Sequence, residues 1–245
     1  MAKIFITGSA DGLGSLAAKL LVEQGHQVVL HARNEERGKQ ALSKVPKAEN
    51  VLTAELSSIE ETIQLAAKVN ALGSFDAIIH NAGVYDQKLN RGNKDELSPL
   101  FIINSLAPYI LTCLIEKPKH LIYMSSGMHL QGNANKSRDY TYSDTKLHDL
   151  ILSMAVAHKY ANIYANAVCP GWVPTKMGGK NAPDDLMQGA ETQAWLAVSN
   201  EATAKVSGNY FFHKKQDHYL PAAKDVTVQE KFLSLCEKIT GIQLK

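Results

Sequence analysis

Residues Thr7-Gly8-Ser9-Ala10-Asp11-Gly12-Leu13-Gly14 stand between a short β-type run, Lys3 to Thr7, and a helical pattern carrying Leu13, Leu16, Ala17, Leu20 and Leu21. Gly25 closes that helix, where a C-terminal glycine is expected. Strand, glycine loop and helix in this order constrain the fold more than any other stretch. Glycines at such a junction let the backbone turn tightly and approach a pyrophosphate, whose charge meets the helix N-terminus. The spacing is Gly-x-x-x-Gly-x-Gly, which differs from Gly-x-Gly-x-x-Gly. An ordinary glycine-rich turn is the alternative, and the place at the first strand–helix junction disfavours it.

The rest of the chain repeats the alternation. Strand signals fall at Gln27 to His31, Asn50 to Leu56, Phe75 to His80, Lys119 to Met124, Ile163 to Ala167 and Gly208 to Phe212. Helical patterns fall at Glu35 to Lys44, Ile59 to Leu72, Ser98 to Leu114, from Tyr142 onward, Ala190 to Val198 and Val226 to Ile239. No low-complexity linker, repeat or composition break divides them. This predicts one α/β domain over 1–245, a single Rossmann-type doubly wound sheet of about seven mostly parallel strands with helices on both faces. Ligands of such sheets bind outside the carboxyl ends of the strands. The glycine loop, Arg33, Asn81-Ala82-Gly83, Ser126 and Pro170 to Thr175 all follow strands at that rim. An arginine after the second strand suits a ribose 2′-phosphate, so Arg33 points to NADP(H) in preference to NAD(H), which remains possible. Asp11 adds contrary negative charge nearby.

Tyr142 and Lys146 are four residues apart on a helix, one turn apart on the same face. A free phenol has a pKa of about 10, too high to trade protons readily near neutrality. A nearby ammonium favours phenolate and lowers that value, making a tyrosine a usable general acid or base. Tyr-x-x-x-Lys alone is common on surface helices; what precedes and follows it gives the pair its weight.

Composition narrows the class. The chain has 245 residues, 45% of them hydrophobic, enough for a substantial core. A net charge of +2 gives no strong pull toward nucleic acid or anionic membrane. Cys113, Cys169 and Cys236 lack metal-ligand spacing and read as thiols in a reducing compartment. No metal site is expected. No run approaches the ~20 apolar residues of a membrane span, so the expectation is a soluble cytoplasmic protein.

Six motifs in order, Thr7-Gly8-x-x-x-Gly12-x-Gly14, Asn81-Ala82-Gly83, Asn104, Ser126, Tyr142-x-x-x-Lys146 and Pro170-Gly171, make the chain resemble the short-chain dehydrogenase/reductase family over nearly its full length. His31 to Asn34, Tyr142 to Leu147 and Ser207 to Phe212 look like its retinol-dehydrogenase-like branch. The resemblance implies an NADP-dependent oxidoreductase interconverting a carbonyl and an alcohol. Tyr142 would be the acid/base, and Lys146 would tune it and hold the nicotinamide ribose. Ser126, preferred over its neighbour Ser125, would bond the substrate oxygen, and Asn104 would support a proton relay. Thr7, Gly8, Ser9, Asp11, Gly12, Leu13, Gly14, Arg33, Glu55, Leu56, Asn81, Ala82, Gly83, Pro170, Gly171, Val173 and Thr175 would join Tyr142 and Lys146 in binding the cofactor. Residues 176–188, with Gly178-Gly179 as hinge, would cover a small-molecule carbonyl or alcohol substrate.

Two departures stand out. His80 precedes Asn81 where the family often has asparagine, and the third strand ends in Glu55-Leu56 where aspartate often meets the adenine. His80, His129 and His148 are read as structural. The resemblance also implies a homodimer or homotetramer, paired through the helices of Asn104 and Tyr142, with Leu106, Ile110, Leu147, Ile151 and Met154 as apolar support. A catalytically silent dinucleotide-binding sensor, or an epimerase or dehydratase of the same fold, are the rival readings.

Overall fold

A computed structural model describes residues 1–85 and 97–245. Strands β1 (Lys3–Ile6), β2 (Gln27–Ala32), β3 (Asn50–Thr53), β4 (Ala77–His80), β5 (His120–Met124), β6 (Tyr164–Cys169) and β7 (Asn209–Phe212) are parallel, and β8 (Lys215–Gln216) pairs antiparallel with β7. Their order across the sheet is β3-β2-β1-β4-β5-β6-β7-β8. The chain winds outward from β1 to β3, then returns to the other side of β1 with β4. The carboxyl ends of β1 and β4 therefore bound the crevice where strand order reverses, the position at which doubly wound sheets take ligands.

Helices α1 (Gly12–Glu23), α2 (Glu35–Lys44) and α7 (Leu186–Val198) cover one face over a core that includes Ile4, Ile6, Val28, Leu30 and Ile79. Helices α3 (Ile59–Ala71), α4 (Pro99–Phe101), α5 (Ala107–Leu114), α6 (Tyr142–Lys159) and α8 (Val226–Thr240) cover the other, over Phe5, Val29, Ile78, Leu121 and Tyr123. Alternation within each strand sends successive side chains to the two cores.

Three details differ from the sequence expectation. The helix expected over Ser98 to Leu114 is broken: a π-helical turn, Ile102–Leu106, separates α4 from α5. Pro108 has no N–H to give to the carbonyl four residues back, so the ladder re-registers just before it. The sheet has eight strands, because the chain reverses after β7 through His213 (φ 47°) and Lys214 (φ 64°). Two positive φ values match the twist of a tight hairpin, which glycine or asparagine would normally announce. Helix α7 starts at Leu186, four residues before the expected Ala190, with Asp185 accepting from the Gln188 N–H as its cap.

Helix α6 carries Tyr142 and Lys146 and is held on every side. Thr141 and Asp144 close its N-terminus as a reciprocal capping box. Every residue from Ser143 to Val156 is buried. On the outer side α8 lies against it, with Phe232 stacked on His148 at 4.6 Å and Cys236 fully buried. The last residues continue that cover: Tyr109 Oη donates to the Ile242 carbonyl at 2.7 Å and Lys159 Nζ to the Leu244 carbonyl at 2.7 Å. Leu106, Ile110, Leu147, Ile151 and Met154 all lie in the core of the single chain, so they offer no apolar face to a second copy. Among the described residues no helix is long and apolar enough to cross a membrane.

Candidate active site

The glycine loop is built against the end of β4. Thr7 Oγ1 accepts the N–H groups of Asn81 and Ala82, each at 3.0 Å, and Asn81 Nδ2 donates to the carbonyls of Thr7 at 3.0 Å and Gly8 at 3.2 Å. Gly8 has φ +63°, and a Cβ there would sit 2.8 Å from the Ala82 backbone, so only glycine fits. Thr7, Ser9 and Gly14 thus shape the loop from inside. Gly8, Asp11, Gly12 and Leu13 line the trough beside it, as do Asn81, Ala82 and Gly83, and the trough has a volume of about 1160 Å³.

His31 is the loop's second anchor, and sequence reasoning gave it no role. Its Nδ1 accepts from the Gly8 N–H at 3.0 Å and its Nε2–H donates to the Ala54 carbonyl at 3.1 Å, while its own N–H bonds Ser9 Oγ at 2.9 Å. Burial holds this imidazole neutral, with its pKa lowered to about 4. The signal was a histidine at the end of β2, one strand away from a loop full of backbone donors.

Past β2, Arg33 is exposed at the trough edge, and Arg37 and Lys44 also line the trough. Asp11 caps α1 and gathers cations: Lys44 Nζ lies at 3.0 Å, Arg37 Nη2 at 3.5 Å, and Lys176 from the segment after β6 completes the set. Lys176 first, then Lys44, hold the Asp11 carboxyl well below the usual carboxylate range. Only Arg33 of these cations was legible beforehand. Arg37 becomes visible once α2 is known to turn its first-turn side chains back toward the loop. Glu55, Leu56 and Ser57 form the wall after β3, with Glu55 Oε1 accepting from the Ser57 N–H at 3.1 Å.

The segment after β6 closes the other side. Pro174, Thr175, Lys176 and Met177 line the trough, whereas Pro170, Gly171 and Val173, expected to bind the cofactor, do not. Gly171 has φ +85°, and a Cβ there would lie 2.6 Å from Asp184, whose carboxylate takes the Trp172 N–H. Residues 176–185 hold turns but no helix or strand.

Beyond Met177 lies Tyr142. The Met177 sulfur is 3.9 Å from its hydroxyl, and the Tyr85 ring meets its ring edge-on at 4.7 Å between centroids. Lys146 Nζ lies 5.6 Å from the Tyr142 ring centroid. It donates to the Met124 carbonyl at 2.8 Å and to Asp149 Oδ2 at 2.8 Å. A Cβ on Gly83 would stand 3.4 Å from that Nζ and 3.5 Å from Asn104 Oδ1, so the ammonium, the amide and the bare glycine converge. Asn104 is fixed by the Val84 backbone, through Oδ1 at 2.9 Å and Nδ2 at 3.0 Å, and by Thr145 Oγ1 at 3.1 Å. Ser125 is buried with its hydroxyl on the Lys146 carbonyl at 2.7 Å. Among the described residues, Ser126 Oγ bonds only the Met128 N–H, which it accepts at 3.2 Å, and it keeps its own proton available. His129 locks that turn, with Nδ1 on the Ser126 carbonyl at 2.7 Å and Nε2 accepting from Leu220 N–H at 3.2 Å. Burial raises the Tyr142 phenol above its ordinary range; Lys146 pulls it down, and Asp149 offsets part of that pull. The sequence predicts a phenol lowered by Lys146; burial outweighs that pull, and the net direction is upward.

Residues 2–186 match the family model for short chain dehydrogenase. The chain belongs to the short-chain dehydrogenase/reductase family. An uncharacterized oxidoreductase of Emericella nidulans is 45% identical, over 99% of this chain and 98% of its own. A short-chain dehydrogenase of Penicillium rubens is 40% identical, over 100% and 99%. Human retinol dehydrogenase 14 is a more distant relative, 24% identical over 98% of this chain and 86% of its own. Among solved structures, an uncharacterized protein from Mycobacterium paratuberculosis superposes with a TM-score of 0.78 at 21% identity, covering 100% of this chain and 95% of that one. The Pseudomonas aeruginosa RhlG/NADP complex superposes with a TM-score of 0.69 at 20% identity, over 86% and 94%. The α/β fold of the chain matches that of these solved structures, and the chain is an NAD(P)-dependent oxidoreductase.

Proposed function

We propose that this short-chain dehydrogenase/reductase interconverts a small-molecule carbonyl and an alcohol, with NADP(H) preferred over NAD(H). The observation that carries the reading is the convergence of the Lys146 ammonium with the Tyr142 ring, Asn104 and Gly83, of which Gly83 lines the trough and the other three stand behind it. A dinucleotide fits the trough by its chemistry: bare glycines and a helix N-terminus at one end, and Arg33, Arg37, Lys44 and Lys176 toward the adenosine side. When bound, the nicotinamide supplies the hydride.

Every other step falls to the chain. Tyr142 Oη gives a proton to the carbonyl oxygen, or takes one from the alcohol. Ser126, with its hydroxyl proton free where that of Ser125 is spent, donates to the same oxygen and stabilises charge developing there. Lys146, with two N–H groups on Met124 and Asp149, keeps one for the ribose and acts on the phenol through its charge, and Asn104 braces the path by which Lys146 is reprotonated. Residues 176–188 act as the lid, with Lys176 on Asp11 of the glycine loop and Met177 beside Tyr142. The whole of 1–245 works as one cofactor- and substrate-binding unit. A cytoplasmic, reducing setting fits three free thiols, two of them buried. Assembly as a homodimer or homotetramer, the family expectation, would use a surface other than the outer face of α6, which α8 already covers.

The deciding experiment is a screen of aldehydes, ketones and alcohols with NADPH or NADP, followed by Tyr142→Phe on the best substrate. Turnover by the folded variant at near wild-type rate would remove Tyr142 as acid/base and return the silent-sensor reading or a different reaction.

A further inference from the structure

Two exposed residues, Tyr85 and Met177, meet Tyr142, and the chemistry assigned so far gives neither a task there. They are 47% and 46% exposed. The Tyr85 ring stands at 82° to the Tyr142 ring with centroids 4.7 Å apart, and the Met177 sulfur is 3.9 Å from the Tyr142 hydroxyl. Both side chains leave a fixed backbone. Val84, just before Tyr85, is bonded to Asn104 through its N–H at 2.9 Å and its carbonyl at 3.0 Å. Met177 lies in a turn closed by the Gly179 N–H on the Thr175 carbonyl at 2.8 Å and by Trp172 Nε1 donating to the Gly178 carbonyl at 2.7 Å. Val84 and Ile103, on either side of the Asn104 contact, add apolar lining to the trough. Charge is kept elsewhere. Among the described residues, the charged side chains that line the trough belong to the glycine loop, α1, α2 and the segments after β2 and β3, apart from Lys176, which is paired with Asp11. Lys146 is already paired with Asp149 at 2.8 Å.

We propose that the substrate is an uncharged compound with an aromatic ring next to its reacting carbonyl or alcohol carbon, and that Tyr85 and Met177 are the residues that select that ring. This rests on the carbonyl–alcohol reading of the site. A thioether is a weak acceptor for the Tyr142 hydroxyl. A carbonyl oxygen is a better one, so the substrate oxygen takes that place, and the three rotatable bonds of Met177 let its sulfur move aside and pack against the ring. Two aromatic rings at right angles form a corner. A third flat ring stacks on one wall and meets the other edge-on, both of them favoured arrangements. A saturated ring is thicker and has no π face to offer. A carboxylate or phosphate on the substrate would give up water and find no partner beside Tyr85 and Met177 among the described residues. In the reduction the carbonyl carbon takes the hydride that NADPH gives up as it becomes NADP, the oxygen takes the Tyr142 proton, and the product is a benzylic alcohol.

The first half of the test needs no turnover. Benzamide and cyclohexanecarboxamide, unreactive carbonyl compounds that differ in the flatness of the ring, are titrated by calorimetry into enzyme saturated with NADPH. Benzamide should bind about two- to tenfold more tightly. Tyr85→Leu and Met177→Ala should each remove most of that preference, and Tyr85→Phe should keep it. The second half compares reduction of methyl 4-formylbenzoate and of 4-formylbenzoate, aldehydes of similar shape of which the second is an anion. The ester should have a kcat/KM at least about tenfold higher. Equal or tighter binding of the saturated ring overturns the proposal, as does binding of neither amide, a preference that survives both substitutions, or an anion reduced as fast as its ester. Circular dichroism checks the variants; if Tyr85→Leu is unfolded, the wild-type preference and Met177→Ala decide. Aliphatic or charged aldehydes reduced in preference to neutral aryl ones would remove the aryl assignment and leave the carbonyl–alcohol reading standing. An aryl preference in binding with no carbonyl reduced at all would remove that reading and leave the ring site standing.

Discussion

The Met177 sulfur stands 3.9 Å from the phenolic oxygen of Tyr142, and its neighbour Lys176 is paired with Asp11 of the glycine loop. Two consecutive residues thus link the inner end of the trough to the loop that would hold a pyrophosphate. A phosphate entering the trough meets the same cations that Asp11 now occupies.

Asp11→Asn should therefore tighten a phosphate-rich cofactor. Asparagine still caps α1, while Arg37, Lys44 and Lys176 lose their shared carboxylate. One new charge-assisted hydrogen bond to phosphate is worth about 1.5–3 kcal/mol, so NADPH affinity should rise by about tenfold or more. Fluorescence titration measures it, and trypsin cleavage after Lys176 should quicken as the lid is untied. Weaker binding would show that Asp11 assists the cofactor instead of competing with it.

Arg33→Ala and Arg37→Ala should each weaken NADPH binding by about 1.5–3 kcal/mol and leave NADH nearly unchanged. Arg33 is exposed and Arg37 is shared with Asp11 and with Gln40 at 2.7 Å, so Arg33 should show the larger discrimination. Paired titrations of both cofactors decide it. Equal losses for the two cofactors would place the 2′-phosphate elsewhere.

Tyr142→Phe should keep fold and cofactor binding and lose at least the 10²–10⁴-fold that a positioned acid/base typically contributes. Lys146→Ala should weaken cofactor binding and push the alkaline limb of the rate–pH profile upward. It also strands Asp149, which burial already drives toward its protonated form. Hence Lys146→Ala/Asp149→Asn should be more stable to heat than Lys146→Ala alone. A double variant melting no higher would mean that Asp149 finds another partner.

The glycine loop, Asn81-Ala82-Gly83, Ser126 and Pro170-Gly171 were readable in order because each follows the end of a strand, and the period-2 and period-3.6 patterns locate those ends well. What was not readable depends on contacts between distant segments. Asp149 looked like any polar residue on a helix until α6 proved buried on all sides. Leu147, Ile151 and Met154 could equally have faced a partner or a core, and only the position of α8 decides. Lys44 and Lys176 are ordinary surface lysines in the sequence, and they become a cluster because α2 and the segment after β6 converge on Asp11. The β7–β8 hairpin was invisible because His213 and Lys214 adopt positive φ without the residues that usually signal it.

Acid should unfold this protein through its histidines. His31 and His148 have pKa values lowered to about 4 and His80 to about 3, in each case by burial. An unfolded histidine binds its proton near pH 6.5. The unfolded chain therefore takes up more protons below that value, and stability is full above about pH 6.5 and lost progressively as pH falls toward 4. Melting temperature followed across this window should fall steeply. For His31 the loss has a local reading: a proton on Nδ1 confronts the Gly8 N–H. Cofactor affinity should therefore drop before the global transition. A flat profile from pH 7 to 4 would contradict the neutral, buried assignment.

The cover over α6 has a consequence for synthesis. Phe232, stacked on His148, and Leu244, whose carbonyl takes Lys159 Nζ, complete the surroundings of the helix that carries Tyr142 and Lys146. A growing chain can pair β1 to β4 and shape its glycine loop while the remainder is still being made, since domains assemble from the segments already released. The helix with the reactive groups must wait. Its pair of opposite charges stays wet until residues 226–244 leave the ribosome, so the part that would grip a dinucleotide takes shape before the helix of Tyr142 and Lys146 is covered. Nascent chains arrested before residue 226 should accordingly show a protease-resistant amino-terminal core and an accessible α6.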